Sequence, residues 1–353
     1  MNREFVDNEI KEYVNNKKCI QIGYICGPKS FLYIKFSIKT ILKTVSDPKK
    51  ISIIIGKNCN DCDFRKFGKL KNKFKSFNIY DVQNNKKHPS LNHGLSLDKL
   101  FWKYFHEDYG MVVDSDIAFL KKNWDLDLIK LINYNKNTII IGSGNPEKNI
   151  CNGLKKIKYK KGDKFRNFPS VYCPFFKTKK LKECGITWQP WIYDIINREY
   201  INIKSIQDII NGLKKFSYVK KALKKNKMTE IEGHSTVKFK CKNGYENLLG
   251  MDKGEICRAD TGFFLPIIIK KNNYNGIYFK TYPFTFSEKK NIFNNDEIEY
   301  IWKNRNELGV GNYFNIIYKE NLFFTHLGQS SKREFNTDYL SKIWIKCVKR
   351  YIY

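Results

Sequence analysis

The chain has few arginines, few histidines and no long apolar run. Only eight of its 65 basic residues are arginine, although the formal net charge is +30. No stretch reaches the roughly 18 consecutive apolar residues that a membrane-spanning helix needs. The first residues, Met1–Glu9, mix charges early and lack the apolar core of a signal peptide. We therefore expect a cytoplasmic protein with no targeting segment and no membrane span.

The scarcity of arginine also bears on the partners of this basic chain. Phosphate and base recognition favours arginine, because its planar guanidinium binds both in a bidentate manner. Abundant lysine, asparagine, isoleucine, tyrosine and phenylalanine together are typical of an AT-rich genome, such as that of a giant virus or a similarly biased microbe. We interpret the charge as a solvated lysine surface and expect no nucleic-acid partner. The alternative, a basic nucleic-acid-binding or nucleotidyl-transferring protein, stays open.

Two motifs of cofactor and metal sites are also missing. No G-x-G-x-x-G follows the first predicted strand, where Gly23 and Gly27 precede Pro28, and this argues against an NAD enzyme. The ten cysteines are scattered, so reduced thiols are expected. Cys59 and Cys62 form a lone C-x-x-C, whereas a zinc ribbon would need a second pair at suitable spacing.

Short apolar segments alternate with segments of helical periodicity in the first part of the chain. The predicted strands are Ile20–Cys26, Ile51–Ile55, Phe77–Val82, Met111–Val113 and Thr138–Gly142. This alternation is typical of α/β proteins with a mostly parallel central sheet and helices on both faces. We predict one α/β domain over residues 1–353, regular over 18–144 and elaborated over 145–353, with long loops over 145–190.

Two carboxylates, Asp114 and Asp116, follow the fourth predicted strand. Unpaired charges are costly in an apolar interior, so these acids are expected at the carboxyl edge of the sheet. Hard divalent cations prefer oxygen ligands. Open α/β sheets bind their ligands outside the carboxyl ends of the strands. The pair therefore predicts a divalent cation and a phosphate-bearing substrate at this edge.

The same pair can be interpreted in four ways. A phosphatase of the haloacid-dehalogenase type has D-x-D-x-T/V on its first strand, whereas this pair follows the fourth strand and has Ala118 as fifth residue. A polymerase-type nucleotidyltransferase has Gly-Ser shortly before the acids, whereas Gly94 and Ser96 lie too far upstream. The other two interpretations are a solvated pair of loop acids and the D-x-D of a nucleotide-sugar-dependent glycosyltransferase.

The chain resembles the GT-A glycosyltransferase superfamily over residues 18–144. The resemblance lies in the series of strands and helices, in the helix Leu97–Trp102, in Met111–Asp116 and in Ile117–Trp124 after the acids. It implies a GT-A-like fold and a metal-dependent hexosyl or related transferase. The sugar would pass from a nucleotide-diphosphate sugar, with a UDP-sugar as the expected donor, to a hydroxyl of a glycan or protein. Residues 18–144 would bind the donor, and 145–353 would bind the acceptor and complete the metal site.

The resemblance also implies roles for individual residues. Mn²⁺ or Mg²⁺ would be bound directly by Asp116, while Asp114 would contact the metal or the ribose. His326 ends a late apolar strand and is either a further metal ligand or a core histidine; carboxylates with one imidazole suit manganese. The nucleotide sugar would contact Tyr24, Ile25, Cys26, Asp81, Lys99, Asp114, Ser115 and Lys332.

The acceptor side has weaker signals. An inverting enzyme needs a carboxylate that takes the proton of the acceptor hydroxyl. We predict Asp260 in this role, with Glu255 and Asp252 behind it; the alternative is a turn-capping aspartate. The aromatic side chains of Trp188, Trp191 and Tyr193 either stack on an acceptor sugar or belong to the core.

Overall fold

The computed structural model describes most of the first 146 residues and separate parts of the remainder. The described residues are 3–60, 62–84, 89–146, 169, 171–188, 229–231, 234–240, 256–259, 261–262, 265–283, 291–304, 307–308, 314–318, 321–328 and 333–353.

The N-terminal part contains four parallel strands and the helices that connect them. The strands are β1 (Ile20–Cys26), β2 (Ile51–Lys57), β3 (Ser76–Asp81) and β4 (Tyr109–Val112), in the sheet order β3-β2-β1-β4. The helices are α1 (Arg3–Val14), α2 (Phe31–Thr44), α3 (Pro89–Tyr104) and α4 (Trp124–Asn133), and short 3₁₀ segments span Pro48–Lys50 and Phe64–Lys73. The predicted α/β class is confirmed for this part of the chain.

The later strands make the sheet mixed rather than mostly parallel. They are β5 (Ile117–Phe119), β6 (Thr138–Pro146), β7 (Phe175–Lys177), β8 (Thr229–Ile231), β9 (His234–Lys240), β10 (Ile256–Ala259), β11 (Asn275–Pro283), β12 (Phe314–Tyr318) and β13 (Asn321–His326). The ten-stranded sheet continues from β4 through β7-β6-β11-β12-β13-β5, and five of these pairings are antiparallel. Strands β10-β9-β8 form a separate small sheet. The later helices are α5 (Thr178–Glu183), α6 (Leu265–Lys271), α7 (Asn295–Lys303) and α8 (Tyr339–Ile352).

The large sheet has to curve back on itself. Six strand-to-strand steps separate β4 from β5 in the sheet order, which at about 4.8 Å each amount to about 29 Å. Only five Cα–Cα steps separate Val112 from Ile117 along the chain, and these span at most about 18 Å. The turn that carries Asp114 and Asp116 therefore joins two strands that only a curved sheet can bring together.

Buried apolar side chains on both faces hold the parallel part of the sheet. Every residue of β2 from Ile51 to Gly56 is buried. On one face, Ile22 and Tyr24 of β1 belong to the same core cluster as Ile34 and Ile38 of α2. On the other face, the side chain of Leu100 in α3 lies against Gly23. Helices thus cover both faces of the parallel strands, as predicted.

The prediction of long loops over residues 145–190 was wrong at one place. Phe175–Lys177 is a strand, and it continues into the helix Thr178–Glu183. The strand pairs with both β4 and β6, so it lies in the middle of the large sheet. Three residues are too few to show a strand periodicity in the sequence, although Phe175 and Phe176 are both buried.

None of the helices in the described part of the chain combines the length and the apolar character that crossing a bilayer requires.

Replacing Gly110 with alanine should destabilise the fold. Gly110 lies in β4 where a Cβ atom would overlap the rings of Phe176 and Phe105. Overpacking of this kind typically costs about 1–3 kcal/mol. We expect a loss of that size for Gly110→Ala in urea unfolding. The control Gly27→Ala, whose new Cβ would have its nearest contact at 3.7 Å, should leave the stability unchanged or slightly raised; equal losses for both variants would contradict the packing around β4.

Candidate functional site

The turn after β4 is held by backbone hydrogen bonds from two sides. Val113 donates its N–H to the carbonyl oxygen of Gly23 in β1, at 2.9 Å. Asp114 donates to the carbonyl of Tyr172 at 2.8 Å, and Ile117 donates back to the carbonyl of Asp114 at 3.2 Å. The two carboxylates are thus presented from a fixed turn rather than from a free loop.

This turn lies at the switch point of the parallel strands. From β1 the chain moves outward through β2 to β3, and it then returns to place β4 on the other side of β1. Ligands of open α/β sheets bind where the strand order reverses, outside the carboxyl ends of the strands. Asp114 follows the carboxyl end of β4 by two residues. The two acids therefore lie beyond the carboxyl end of β4, at this switch point.

His326 reaches the same place from the far end of the sequence. It is the last residue of β13, which pairs with β5 so that His326 faces Ile117. The next residue, Leu327, donates its N–H to the carbonyl oxygen of Asp116 at 3.1 Å. The backbone on both sides of the imidazole is therefore tied to the strand that follows the acids.

The three side chains converge in a largely buried cluster. The Nε2 atom of His326 lies 3.2 Å from Oδ1 of Asp116 and 3.7 Å from Oδ2 of Asp114. The side chains of His326 and Asp116 are only 4% exposed, whereas that of Asp114 is 23% exposed. Asp114 is thus the member of the cluster that solvent and ligands reach most easily.

The donor set and its spacing fit a divalent cation. One ligand atom from each of Asp114, Asp116 and His326 lies within 4.8 Å of the others. Neighbouring ligands of an octahedral cation with bonds of about 2.1 Å lie about 3 Å apart, so small side-chain adjustments suffice. Two carboxylates with one imidazole suit Mn²⁺, whereas a cation that prefers thiolate ligands would find no sulfur among these three side chains.

Tyr172 and Cys173 also belong to this site and were missed in the sequence. The Tyr172 ring lies over the imidazole of His326, with the ring centroids 4.9 Å apart. Burial chiefly raises the pKa of the Cys173 thiol to about 12, and the charge of Asp114 raises it further. Tyr172 therefore contacts Asp114 through its backbone and His326 through its ring. The residues precede β7, in the segment that was expected to form loops.

The donor-side residues of β1 have different surroundings from those predicted. Tyr24 is fully buried, and its hydroxyl lies 2.9 Å from Ser37 Oγ, so its side chain packs in the core rather than at a nucleotide base. Cys26 is buried as well. Ile25 points to the opposite face of the sheet, toward Gly56. Of these three predicted contacts, only Ile25 is partly exposed.

Asp81 and Lys99 meet at the outer end of the parallel sheet. Asp81 ends β3 and accepts a hydrogen bond from the N–H of Gln83 at 2.9 Å. Lys99 donates from Nζ to the carbonyl oxygen of Gln83 at 2.7 Å. Three strand spacings, about 14 Å, separate β3 from β4. These two side chains are therefore placed for the far end of an elongated ligand rather than for a group at the carboxylates.

The remaining candidate site residues lie in the core, in the turn between the two acids, or outside the part of the chain that the structure describes. Trp188 is fully buried and its backbone N–H donates to Oδ1 of Asp98 at 2.8 Å, so its side chain belongs to the core rather than to an acceptor surface. Ser115, between the two acids, is half-buried. The predicted residues that lie outside the described part of the chain are Asp260, Lys332, Asp252, Glu255, Trp191 and Tyr193.

Replacing Asp114 with asparagine should separate the stability of the protein from its metal response. Asp114 is the partly exposed member of the cluster and asparagine keeps its shape, so without a cation Asp114→Asn should fold with a stability close to that of the wild type. With Mn²⁺ at 100 times its dissociation constant, the wild type should gain about 2.7 kcal/mol. The variant should gain much less in thermal unfolding.

The control for this measurement is Asp127→Asn, which removes an acid paired with Lys121 away from the cluster. It should keep the full Mn²⁺ response. Equal stabilisation of wild type and Asp114→Asn by Mn²⁺ would show that Asp114 does not contribute to cation binding.

Several solved structures are similar to this chain over about half of its length. TarS from S. aureus matches at 13% identity with a TM-score of 0.34, over 48% of this chain and 50% of that one. The mannosyltransferase PcManGT from Pyrobaculum calidifontis, in complex with GDP-Man and Mn²⁺, matches at 10% identity with a TM-score of 0.34, over 52% and 55%. The glycosyltransferase GlyE from Streptococcus pneumoniae matches at 14% identity with a TM-score of 0.33, over 56% and 43%.

Two of these proteins are thus named as a mannosyltransferase and a glycosyltransferase, and this chain spans about half the length of each of the three proteins. At such identities the likeness concerns the fold alone. No protein-family model and no curated protein matches the chain.

Proposed function

We propose that the chain is a metal-dependent glycosyltransferase that moves a sugar from a nucleotide-diphosphate sugar to a hydroxyl acceptor. The observation that carries the proposal is the convergence of Asp114, Asp116 and His326 at the switch point of the parallel strands. The local resemblance of Met111–Asp116 and Ile117–Trp124 to the D-x-D segment of GT-A enzymes supports the same class.

The cluster suits a cation that is shared with a diphosphate. Three protein ligands leave part of an octahedral coordination sphere open, and Mg²⁺ or Mn²⁺ sites of this kind are commonly completed by substrate phosphates. The partly exposed Asp114 marks the side from which a ligand approaches. A bound cation would stabilise the negative charge that grows on the leaving diphosphate, without a proton transfer.

The protein residues would hold and orient the two substrates around that cation. Asp116 and His326 are buried and would fix its position, while Asp114 would contact the cation or the ribose. Ser115 would contact the diphosphate from the turn, and Lys332 would add a positive charge. Asp81 and Lys99, at the outer end of the sheet, would meet the nucleoside end of a UDP-sugar.

On the acceptor side, Asp260 would take the proton of the attacking hydroxyl. The acceptor would be a glycan or a protein. Removal of this proton makes the oxygen nucleophilic as the bond to the diphosphate breaks, so the carboxylate acts as a general base. Asp260→Asn should then slow transfer to the acceptor without weakening donor binding.

The reaction can be tested by the release of nucleoside diphosphate from a panel of donors that includes UDP-GlcNAc, UDP-glucose and GDP-Man, with Mn²⁺ present. We expect release from at least one donor and its loss on addition of a chelator. Asp116→Asn should lower the rate by at least about 100-fold, since it removes a ligand from the group that stabilises the leaving charge.

The control variant Asp127→Asn should keep the rate of the wild type. Absence of both release and thermal stabilisation by every nucleoside diphosphate tested would refute the proposed activity. Full metal-dependent activity in Asp116→Asn would refute the site and leave the activity standing.

A groove lined by lysines supports a second candidate function, the binding of polyanions. The groove encloses about 590 Å³ between α2 and the 3₁₀ segment Phe64–Lys73, and six lysines line it: Lys35, Lys39, Lys43, Lys66, Lys69 and Lys73. Its lining also includes Pro48, shortly before β2, while Lys73 lies shortly before β3, so the groove reaches the amino ends of these strands, whereas Asp114 and Asp116 follow the carboxyl end of β4. The groove is therefore away from the carboxylates.

Polyanion binding at this groove should weaken steeply with salt, because each bound phosphate releases counterions. Lys39→Gln with Lys66→Gln and Lys69→Gln should weaken the binding of a single-stranded oligonucleotide several-fold and lower the salt dependence. Fluorescence anisotropy at a series of salt concentrations measures both. If Lys122→Gln with Lys342→Gln and Lys346→Gln weakens binding equally, the attraction comes from the overall charge and the groove has no role of its own.

A further inference from the structure

Three cysteines come together at the carboxyl ends of β1 and β2. Cys26 is the last residue of β1, and Cys59 and Cys62 follow β2. Their sulfur atoms all lie within 4.8 Å of one another, and Sγ of Cys26 is 3.5 Å from Sγ of Cys62. Cys59 and Cys62 are joined by a disulfide. The lone C-x-x-C of the sequence thus has a third cysteine as its neighbour.

The backbone fixes this arrangement. Cys26 is paired with Lys57 in the parallel register of β1 and β2. Just beyond it, Asn58 donates its N–H to the carbonyl of Cys26 at 2.9 Å. The segment after β2 is therefore held against the end of β1. The pairing of these two strands thus brings the thiol of Cys26 next to the C-x-x-C.

The cluster differs from the other cysteines that the structure describes. Four other described cysteines are buried: Cys19, Cys173, Cys184 and Cys347. Within the described residues, none of these four belongs to a group of three closely spaced side chains that could hold a metal ion. Within the cluster, solvent exposure increases from Cys26 through Cys59 to Cys62. Cys26 is fully buried, Cys59 nearly so, and Cys62 is half-buried.

We propose that, after reduction of its disulfide, this cluster binds a thiophilic cation such as Zn²⁺ through Cys26, Cys59 and Cys62. Thiolates bind zinc at about 2.3 Å, so neighbouring sulfurs of a tetrahedral site lie about 3.8 Å apart. The 3.5 Å between Cys26 and Cys62 is close to this value. The half-buried Cys62 leaves the fourth position on the side that faces solvent.

Reduction has to precede binding. A dithiol reductant supplies two electrons and two protons, so that the disulfide of Cys59 and Cys62 becomes two thiols and the reductant becomes a disulfide. Binding of Zn²⁺ then displaces the three thiol protons into solvent.

The bound ion would tie the end of β1 to the segment that follows β2. This role is structural and does not depend on the proposed glycosyl transfer. Asp114, Asp116 and His326 offer oxygen and nitrogen ligands, whereas this cluster offers sulfur alone, so the two sites are expected to select different cations.

Cobalt substitution tests the proposal, because Co²⁺ bound to thiolates has an intense charge-transfer absorption that carboxylates and imidazole do not produce. The full chain is reduced without oxygen, its ten thiols are counted with a thiol reagent under denaturing conditions, and Co²⁺ is then added. We expect the thiolate absorption to saturate at one equivalent and to disappear when Zn²⁺ displaces the cobalt.

Variants assign the ligands. Cys26→Ser and Cys62→Ser should each weaken cobalt binding at least tenfold, and Cys184→Ser, which changes a buried cysteine outside the cluster, should bind as the wild type does. His326→Ala should also keep the absorption, since it alters only the other site. Circular dichroism of each variant shows whether it is folded; Cys62→Ser, at the half-buried position, is the variant least expected to disturb the core.

The proposal is overturned if the fully reduced chain shows no thiolate absorption, or if folded Cys26→Ser and Cys62→Ser retain it unchanged. Loss of the absorption in Cys184→Ser would equally overturn the assignment, because it would locate the ion elsewhere.

Discussion

The antiparallel pairing of β5 with β13 is the constraint on which the candidate site depends. The register that pairs Ile117 with His326 also sets the distance from the imidazole to Asp116. A slip of one residue would turn His326 to the opposite face of the sheet, because side chains alternate along a strand. Buried rings secure this register: Phe119 packs edge-on against Phe324, with centroids 5.0 Å apart. The spacing of the three clustered side chains is therefore set by apolar packing next to them.

The turn that carries Asp114 and Asp116, between β4 and β5, joins two parts of the sheet with different roles. The parallel part supplies the switch point at which the acids lie, and the antiparallel part returns to that point with His326. Two carboxylates held this close oppose each other unless a positive charge lies between them. The surrounding structure keeps them together through Gly23 and Tyr172, which bind the backbone of the turn. Functional sites typically hold charged side chains in positions that lower the stability of the fold.

The sequence predicts those parts of the fold and site whose cause is local. The nearly continuous isoleucine run of β2, interrupted by Ser52, and the acids just after β4 can both be read from neighbouring residues, and His326 is visible as the end of an apolar strand. Tyr172 could not be found in this way, because its role depends on the place of a three-residue strand within the sheet. The burial of Tyr24 was also missed: a strand that is covered on both faces has no polar alternation to show which side chains meet a ligand. For the same reason, the third cysteine beside the C-x-x-C follows only from the parallel register of β1 and β2.

The return of β13 to the start of β5 has a consequence for folding. It closes a loop of 210 residues between Asp116 and His326, and the chain entropy of such a closure is roughly 5 kcal/mol before any constant term. Contacts of such high sequence separation form late, whereas β1, β2 and β4 with their helices can assemble from residues that are near in the chain. During synthesis from the N-terminus, β5 is therefore made long before its partner β13 has left the ribosome. The cluster of Asp114, Asp116 and His326 would be the last part of the candidate site to assemble, so a nascent chain would carry its two carboxylates for a time without the imidazole.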